Sequence, residues 1–131
     1  MIVDTSVWID VFRDATGERR RLLEGIVDPE EVVLTSFTEL ELLQGCRDEQ
    51  EWTLLRSYLN TQEYIEPQRG TWAAAARIYF DLCRLDRRVR SPIDCCIAQL
   101  AIDHQVLLLH IDRDFETIAE IRPLQQQRVV W

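Results

Sequence analysis

The residues best suited to chemistry are acidic side chains that follow short apolar segments. They are Asp4, Glu39, Glu41, Asp94, Asp112 and Asp114. If the apolar segments are parallel strands, these acids meet at the edge of the sheet where ligands bind. Carboxylates packed together repel unless a cation neutralises them, and carboxylate oxygens suit Mg²⁺ and Mn²⁺. The pattern therefore predicts a metal site that could activate water and stabilise charge on a phosphodiester.

Each acid also has a simpler explanation. Asp4 lies between an apolar segment and a helical pattern, where it can serve as a helix N-cap. Asp94 lies in the first helical turn after Ser91-Pro92, and surface acids are common in a chain of net charge −8. The joint placement of the acids favours a metal site over scattered caps.

Short apolar strands that alternate with helices should position these acids. The predicted strands cover about 2–3, 32–35, 63–66, 106–109 and 128–131, and the predicted helices about 5–12, 18–27, 37–44, 49–59, 71–84, 93–104 and 115–121. This order is typical of an α/β fold whose parallel sheet is covered by helices on both faces. No repeat or linker divides the chain, so we expect one domain over residues 1–131.

Composition limits the class of protein. The 131 residues include 23 acids and 15 bases, all arginine, which argues against coating nucleic acid by bulk charge. The cysteines, Cys46, Cys83, Cys95 and Cys96, lack zinc-site spacing and are expected to be reduced. No apolar segment is long enough for a membrane helix, and no targeting segment is visible, so we expect a cytoplasmic protein.

Other acidic or nucleotide-binding α/β folds fit less well. A receiver-type phosphorylation module and a dehalogenase-type phosphatase both need an active-site lysine, and this chain has none. The phosphatase also needs an acid at position 6, where Ser6 stands. A P-loop or dinucleotide fold needs clustered glycines, whereas the four glycines here are isolated.

Four segments, in order, resemble the PIN domain. They are Met1-Ile2-Val3-Asp4-Thr5-Ser6, Glu41-Leu42-Leu43-Gln44-Gly45, Asp94 followed by Ile97-Ala98, and Asp112-Arg113-Asp114-Phe115. The chain length and the first acid near the N-terminus more narrowly resemble the VapC toxins of bacterial toxin–antitoxin pairs. This resemblance implies a three-layer α/β/α sandwich with about five strands and a Mg²⁺- or Mn²⁺-dependent endoribonuclease.

The resemblance also implies a site and partners. The acidic site would be Asp4, Glu41, Asp94 and Asp112, with the metal on Asp4, Asp94 and Asp112. Asp114 would assist a second metal, and Ser6 would hydrogen-bond an acid or water. The expected partners are the RNA substrate, a VapB-like antitoxin and a second copy of the chain, with no membrane. The alternative is a catalytically inactive PIN-like interaction module, which the intact set of acids disfavours.

One departure concerns the residue two before the fourth acid. The family often has threonine there, and this chain has His110. Because of this difference, the resemblance leaves the orientation of Asp112 open, although it still implies the site. We expect neither His104 nor His110 to be a ligand.

Glu39 and Glu41 cannot both face one metal, because residues two apart on a helix point about 200° apart. Phe37, Leu40 and Leu43 are expected to form the core side of this helix, which leaves the choice open. The pattern Glu-Leu-x-x-Gly of the family selects Glu41. Gly45 would either leave the backbone beside Glu41 open or simply end the helix.

The basic segment before Asp94 is a candidate for RNA contact. Arg87, Arg88 and Arg90 are expected to help place RNA phosphates, unless they are only a solvated loop.

Overall fold

The computed structural model describes all residues from Met1 to Trp131. It contains five strands, seven α-helices and one 3₁₀ helix. In chain order these are β1 (Ile2–Val3), α1 (Thr5–Arg13), α2 (Glu18–Ile26), the 3₁₀ helix (Pro29–Glu31), β2 (Val33–Thr35), α3 (Ser36–Gln44), α4 (Glu49–Leu59), β3 (Glu63–Ile65), α5 (Arg69–Arg84), α6 (Pro92–His104), β4 (Leu108–His110), α7 (Arg113–Ala119) and β5 (Gln126–Arg128).

The strands form one parallel sheet with the order β3-β2-β1-β4-β5. The N-terminal strand β1 is central, with Ile2 paired to Val33 of β2 and to Leu108 of β4. Ile2 and Val3 are fully buried, as β-branched residues of a central strand covered on both faces should be. The residue that follows β1 is therefore flanked by the ends of β2 and β4.

Helices cover both faces of the sheet, which gives three layers. On one face Ile2 and Leu108 pack with buried residues of α5, α6 and α7, among them Ile78, Ile97 and Phe115. On the other face Val3 and Leu109 pack with residues of α1 and α2. Successive residues of each strand thus point to opposite faces. The predicted α/β/α sandwich with a parallel sheet is confirmed.

Two details of the prediction are wrong. The last strand is Gln126–Arg128, two residues before the predicted 128–131. An edge strand needs little apolar character, so its glutamines pair with β4 while Val130 is 83% exposed. The core side of α3 is also different: Thr38 and Leu42 are buried, and Leu40 is 59% exposed.

The four cysteines are free thiols, and Cys95 and Cys96 are buried in the first half of α6. None of the helices combines the length and the apolar composition needed to cross a bilayer.

Candidate metal centre

Asp4 lies between β1 and α1. One carboxylate oxygen, Oδ2, accepts hydrogen bonds from the backbone N–H of Ser6 at 3.0 Å and from its hydroxyl at 2.6 Å. Asp4 is therefore the N-cap of α1, as its simpler explanation required, but it is also only 6% exposed. Burial raises the pKa of this carboxyl, the Ser6 bonds oppose the rise, and the nearby Asp112 adds to it. A buried acid next to another acid is more than a helix cap.

Ser6 connects two elements at the site. Its hydroxyl donates to Asp4 and accepts from the backbone N–H of Ile111 at 3.2 Å, just beyond the end of β4. The expected hydrogen bond from Ser6 to an acid is therefore present. This bridge fixes the Asp4 carboxylate relative to the segment that carries Asp112.

Glu41 faces Asp4, and Glu39 does not. The hydroxyl of Thr5 donates to Glu41 Oε1 at 3.4 Å. Burial raises the pKa of Glu41, and the charge of Asp4 raises it further. Glu39 instead forms an ion pair with Arg56 at 2.7 Å and accepts from the Tyr64 hydroxyl at 3.4 Å. The two glutamates are thus directed to different surroundings.

Asp94 lies in the first turn of α6, where Ser91 caps the helix by accepting from the backbone N–H of Ile93 at 3.1 Å. Burial is the largest cause that raises the pKa of Asp94 to about 7. The charges of Asp4, Asp112, Asp114 and Glu41 also raise it, in that order. All the predicted site acids therefore act on the Asp94 carboxyl.

Asp112 and Asp114 complete the cluster at the start of α7. Asp112 is the N-cap, and its Oδ1 accepts from the backbone N–H of Asp114 at 3.0 Å. One carboxylate oxygen each of Asp94, Asp112 and Asp114 lie within 4.8 Å of one another. Asp4 is outside this group of three, although its charge acts on Asp94. A donor set made only of carboxylate oxygens fits a hard divalent cation such as Mg²⁺ or Mn²⁺.

Position 110, where the chain departs from the PIN pattern, does not contribute to this cluster. His110 is fully buried, its Nε2 contacts Gln126 Oε1 at 2.6 Å, and its ring packs against Phe115. The His110 side chain therefore packs between Gln126 of β5 and Phe115 of α7. Asp112 still caps α7 next to Asp94 and Asp114.

Arg90 contacts the acids in a way that the sequence did not predict. Its guanidinium pairs with Asp112 and, at 3.5 Å, with Asp114, and its expected contact with RNA phosphates stays a prediction. Its own N–H also donates to Asp114 Oδ2 at 2.9 Å. Arg87 pairs instead with Glu120 at 2.7 Å, and Arg88 is exposed without an ion pair. The only signal in the sequence was the closeness of Arg90 to Asp94.

A cavity of about 370 Å³ opens beside the cluster. Its lining consists of Arg90, Ile111, Asp112, Arg113, Asp114 and Arg128. The cavity therefore joins two of the acids to three arginines, which suits an anionic ligand held next to a cation.

Comparison with known proteins agrees with this arrangement. The family model described as PIN domain matches residues 1–121. Ribonuclease VapC11 of Mycobacterium tuberculosis is 36% identical over 131 residues, which cover 95% of this chain and 96% of the relative. Ribonuclease VapC51 of the same species is 32% identical over 120 residues, or 92% of this chain and 85% of the relative.

Solved structures show the same fold. VapBC2 from Rickettsia felis, bound to a DNA fragment from its promoter, has a TM-score of 0.77 at 16% identity and covers 98% of both chains. DNA-bound VapBC from Salmonella typhimurium has a TM-score of 0.77 at 17% identity, over 97% of this chain and 96% of the other. The chain belongs to the PIN domain family and, within it, to the VapC ribonucleases.

Proposed function

We propose that this protein is a divalent-metal-dependent endoribonuclease and the toxin of a VapBC-type pair. The observation that carries the proposal is the convergence of acids from four segments at one edge of the sheet. Asp94, Asp112 and Asp114 offer oxygens within 4.8 Å of one another, and Asp4 and Glu41 act on the same Asp94 carboxyl. Relatives over 30% identical that carry the name ribonuclease VapC support RNA as the substrate.

Asp4, Asp94 and Asp112 would hold the metal, Mg²⁺ or Mn²⁺, and Asp114 would contribute to a second cation. A bound divalent cation lowers the pKa of water and stabilises negative charge on a phosphodiester. Ser6 holds Oδ2 of Asp4 with two hydrogen bonds, which fixes this carboxylate next to the other acids. Glu41, whose pKa is raised, is suited to orient the attacking water and accept its proton.

An antitoxin and a second copy of the chain are the proposed protein partners. Toxin–antitoxin complexes among the solved structures of similar fold support the first. Exposed aromatic side chains support both: Phe12 stacks on Trp8, which also contacts Tyr58, and Trp72 packs edge-on against Phe37. Exposed apolar patches of this kind mark protein interfaces. A basic arm of the antitoxin would suit the net charge of −8. Cellular RNA as the substrate would place the activity of the protein in the cytoplasm.

The proposal is tested by incubating the purified protein with a panel of tRNA, rRNA fragments and mRNA. We expect cleavage with Mn²⁺ or Mg²⁺ and none with EDTA. Cleavage that persists in EDTA would contradict the metal dependence. No cleavage of any RNA with saturating metal would favour the alternative of an inactive PIN-like interaction module. Sequencing the RNA 5′ ends after brief expression would identify the target.

A further inference from the structure

The backbone of Arg90 is held in place, whereas its side chain is largely exposed to solvent. Val89, the residue before it, is 5% exposed and belongs to the core beneath α6. Ser91, the residue after it, caps α6. The backbone N–H of Arg90 donates to Asp114 Oδ2 at 2.9 Å. The side chain of Arg90 nevertheless stays 78% exposed, so its guanidinium can move while its Cα stays in place.

The guanidinium covers two acids that face little solvent. The side chains of Asp112 and Asp114 are 18% and 13% exposed, and Arg90 pairs with Oδ2 of each. Asp112 and Asp114 are two of the three residues whose oxygens lie within 4.8 Å of one another. A guanidinium on Oδ2 of both carboxylates therefore competes with a divalent cation for this oxygen and for the negative charge of the pair.

We propose that the Arg90 guanidinium is an exchangeable counter-ion of Asp112 and Asp114, which leaves these carboxylates when a divalent cation binds and then contacts an RNA phosphate. The inference rests on the proposed function, because it assumes that the acids hold a metal. Arg90 lines the cavity beside the acids, so a released guanidinium remains within reach of an anion there. A planar guanidinium suits either partner, since carboxylate and phosphate both accept two parallel hydrogen bonds from it.

The exchange makes two opposite predictions for Arg90→Gln. Without a competing guanidinium, Mn²⁺ should bind about two- to fivefold more tightly, as expected for loss of one largely exposed charge pair. Without the phosphate contact, RNA should bind more weakly in the presence of metal. Arg90→Lys should lie between the wild type and Arg90→Gln in both measurements, because lysine keeps the charge but not the fork of donors.

Arg113→Gln is the matched control for metal binding. Arg113 lines the same cavity and is exposed, but it forms no ion pair. Arg113→Gln removes one positive charge near the acids, as Arg90→Gln does, but it frees no carboxylate from an ion pair. Isothermal titration with Mn²⁺ in the absence of RNA compares the variants, with circular dichroism to verify folding. Tighter binding by Arg90→Gln than by Arg113→Gln supports the exchange, whereas equal affinities of the two variants overturn it.

The phosphate contact is measured in the Glu41→Gln background, which is expected to cleave RNA about tenfold or more slowly and keeps the proposed metal ligands Asp4, Asp94 and Asp112. Fluorescence anisotropy with a short labelled RNA and Mg²⁺ should give a higher Kd when Arg90→Gln is added. An unchanged Kd overturns the phosphate contact. Failure of the proposed function gives a different result: Arg90→Gln still binds Mn²⁺ more tightly than Arg113→Gln, but the wild type cleaves no RNA.

Discussion

Glu41 and Glu39 differ in what surrounds their carboxylates. Glu41 accepts from Thr5 next to Asp4, and Glu39 is neutralised by Arg56. We expect Glu41→Gln to lose most RNA cleavage, by about tenfold or more, because it removes an acid from the reacting region. Glu39→Gln should keep near wild-type activity. Rates under saturating Mn²⁺ decide the matter, and the reverse ranking would mean that Glu39 is the functional acid.

Asp94 gives a prediction on stability. Its pKa in the folded protein is about 7, above the value of about 4 expected in the unfolded chain. Folding therefore takes up a proton between these values, so stability of the metal-free protein falls as pH rises from about 4 to 7. Asp94→Asn removes this loss, and its melting temperature with EDTA should exceed that of the wild type by about 3–5 °C at pH 8.

The same comparison at pH 4 is the control, because Asp94 is then protonated and asparagine resembles it. The two melting temperatures should nearly coincide there. A lower melting temperature for Asp94→Asn than for the wild type at pH 8 without metal would contradict the raised pKa.

At the scale of elements, the turn between α5 and α6 carries the proposed RNA contacts. Arg88 is exposed without an ion pair, and Arg87 must exchange Glu120 for a phosphate. The double variant Arg87→Ala/Arg88→Ala should weaken RNA binding and reduce the slope of log K against log salt by about one to two, as loss of two phosphate contacts requires. Kd values at several salt concentrations give this slope, and an unchanged slope rejects the contacts.

The elements themselves were largely predictable, because the apolar strands and the helical repeats follow from burial. The last strand was misplaced because Val129-Val130-Trp131 is apolar, whereas pairing at a sheet edge depends on backbone geometry that Gln126–Arg128 satisfies equally well. The face of α3 was misjudged because α3 meets α1 and α4 as well as the sheet, and these contacts are invisible in the local pattern.

The site acids could be predicted from their places after the strands, but the side chains that contact them could not. The bonds from Thr5 to Glu41 and from Arg90 to Asp112 join segments 36 and 22 residues apart. Only the folded chain sets such contacts. The positions of Asp4 and Asp94 were easier to predict, because the end of a central strand and the start of a capped helix have fixed places in a parallel α/β fold.

At the scale of the whole molecule, the exposed aromatic side chains predict that the isolated chain self-associates. Sedimentation equilibrium should give about twice the mass of 15.5 kDa. Trp72→Glu places a charge on one exposed aromatic group and should shift the protein towards monomer if that group is the interface, while Phe12→Glu tests the other group. A monomer in the wild type at micromolar concentration would contradict the proposed dimer.

The toxin–antitoxin proposal predicts an effect on cells. Expression of this chain alone in its native host should slow growth, and co-expression of a small protein encoded beside it should restore growth. Asp4→Asn should be harmless when expressed at the same level, because toxicity depends on cleavage. Absence of toxicity from the wild type would weaken the assignment as a toxin without bearing on the metal site.

The central claim is that the acids from separate segments form one metal-dependent nuclease site. Its most direct measurement is the single-turnover cleavage rate of one RNA under saturating Mn²⁺ for the wild type, Asp4→Asn and Asp94→Asn. Asp86→Asn is the control, since Asp86 is exposed and has a left-handed backbone (φ 55°) that asparagine also adopts. We expect both site variants to lose at least about a hundredfold in rate while remaining folded, and Asp86→Asn to cleave normally. Cleavage at the wild-type rate by both site variants would place the active site elsewhere.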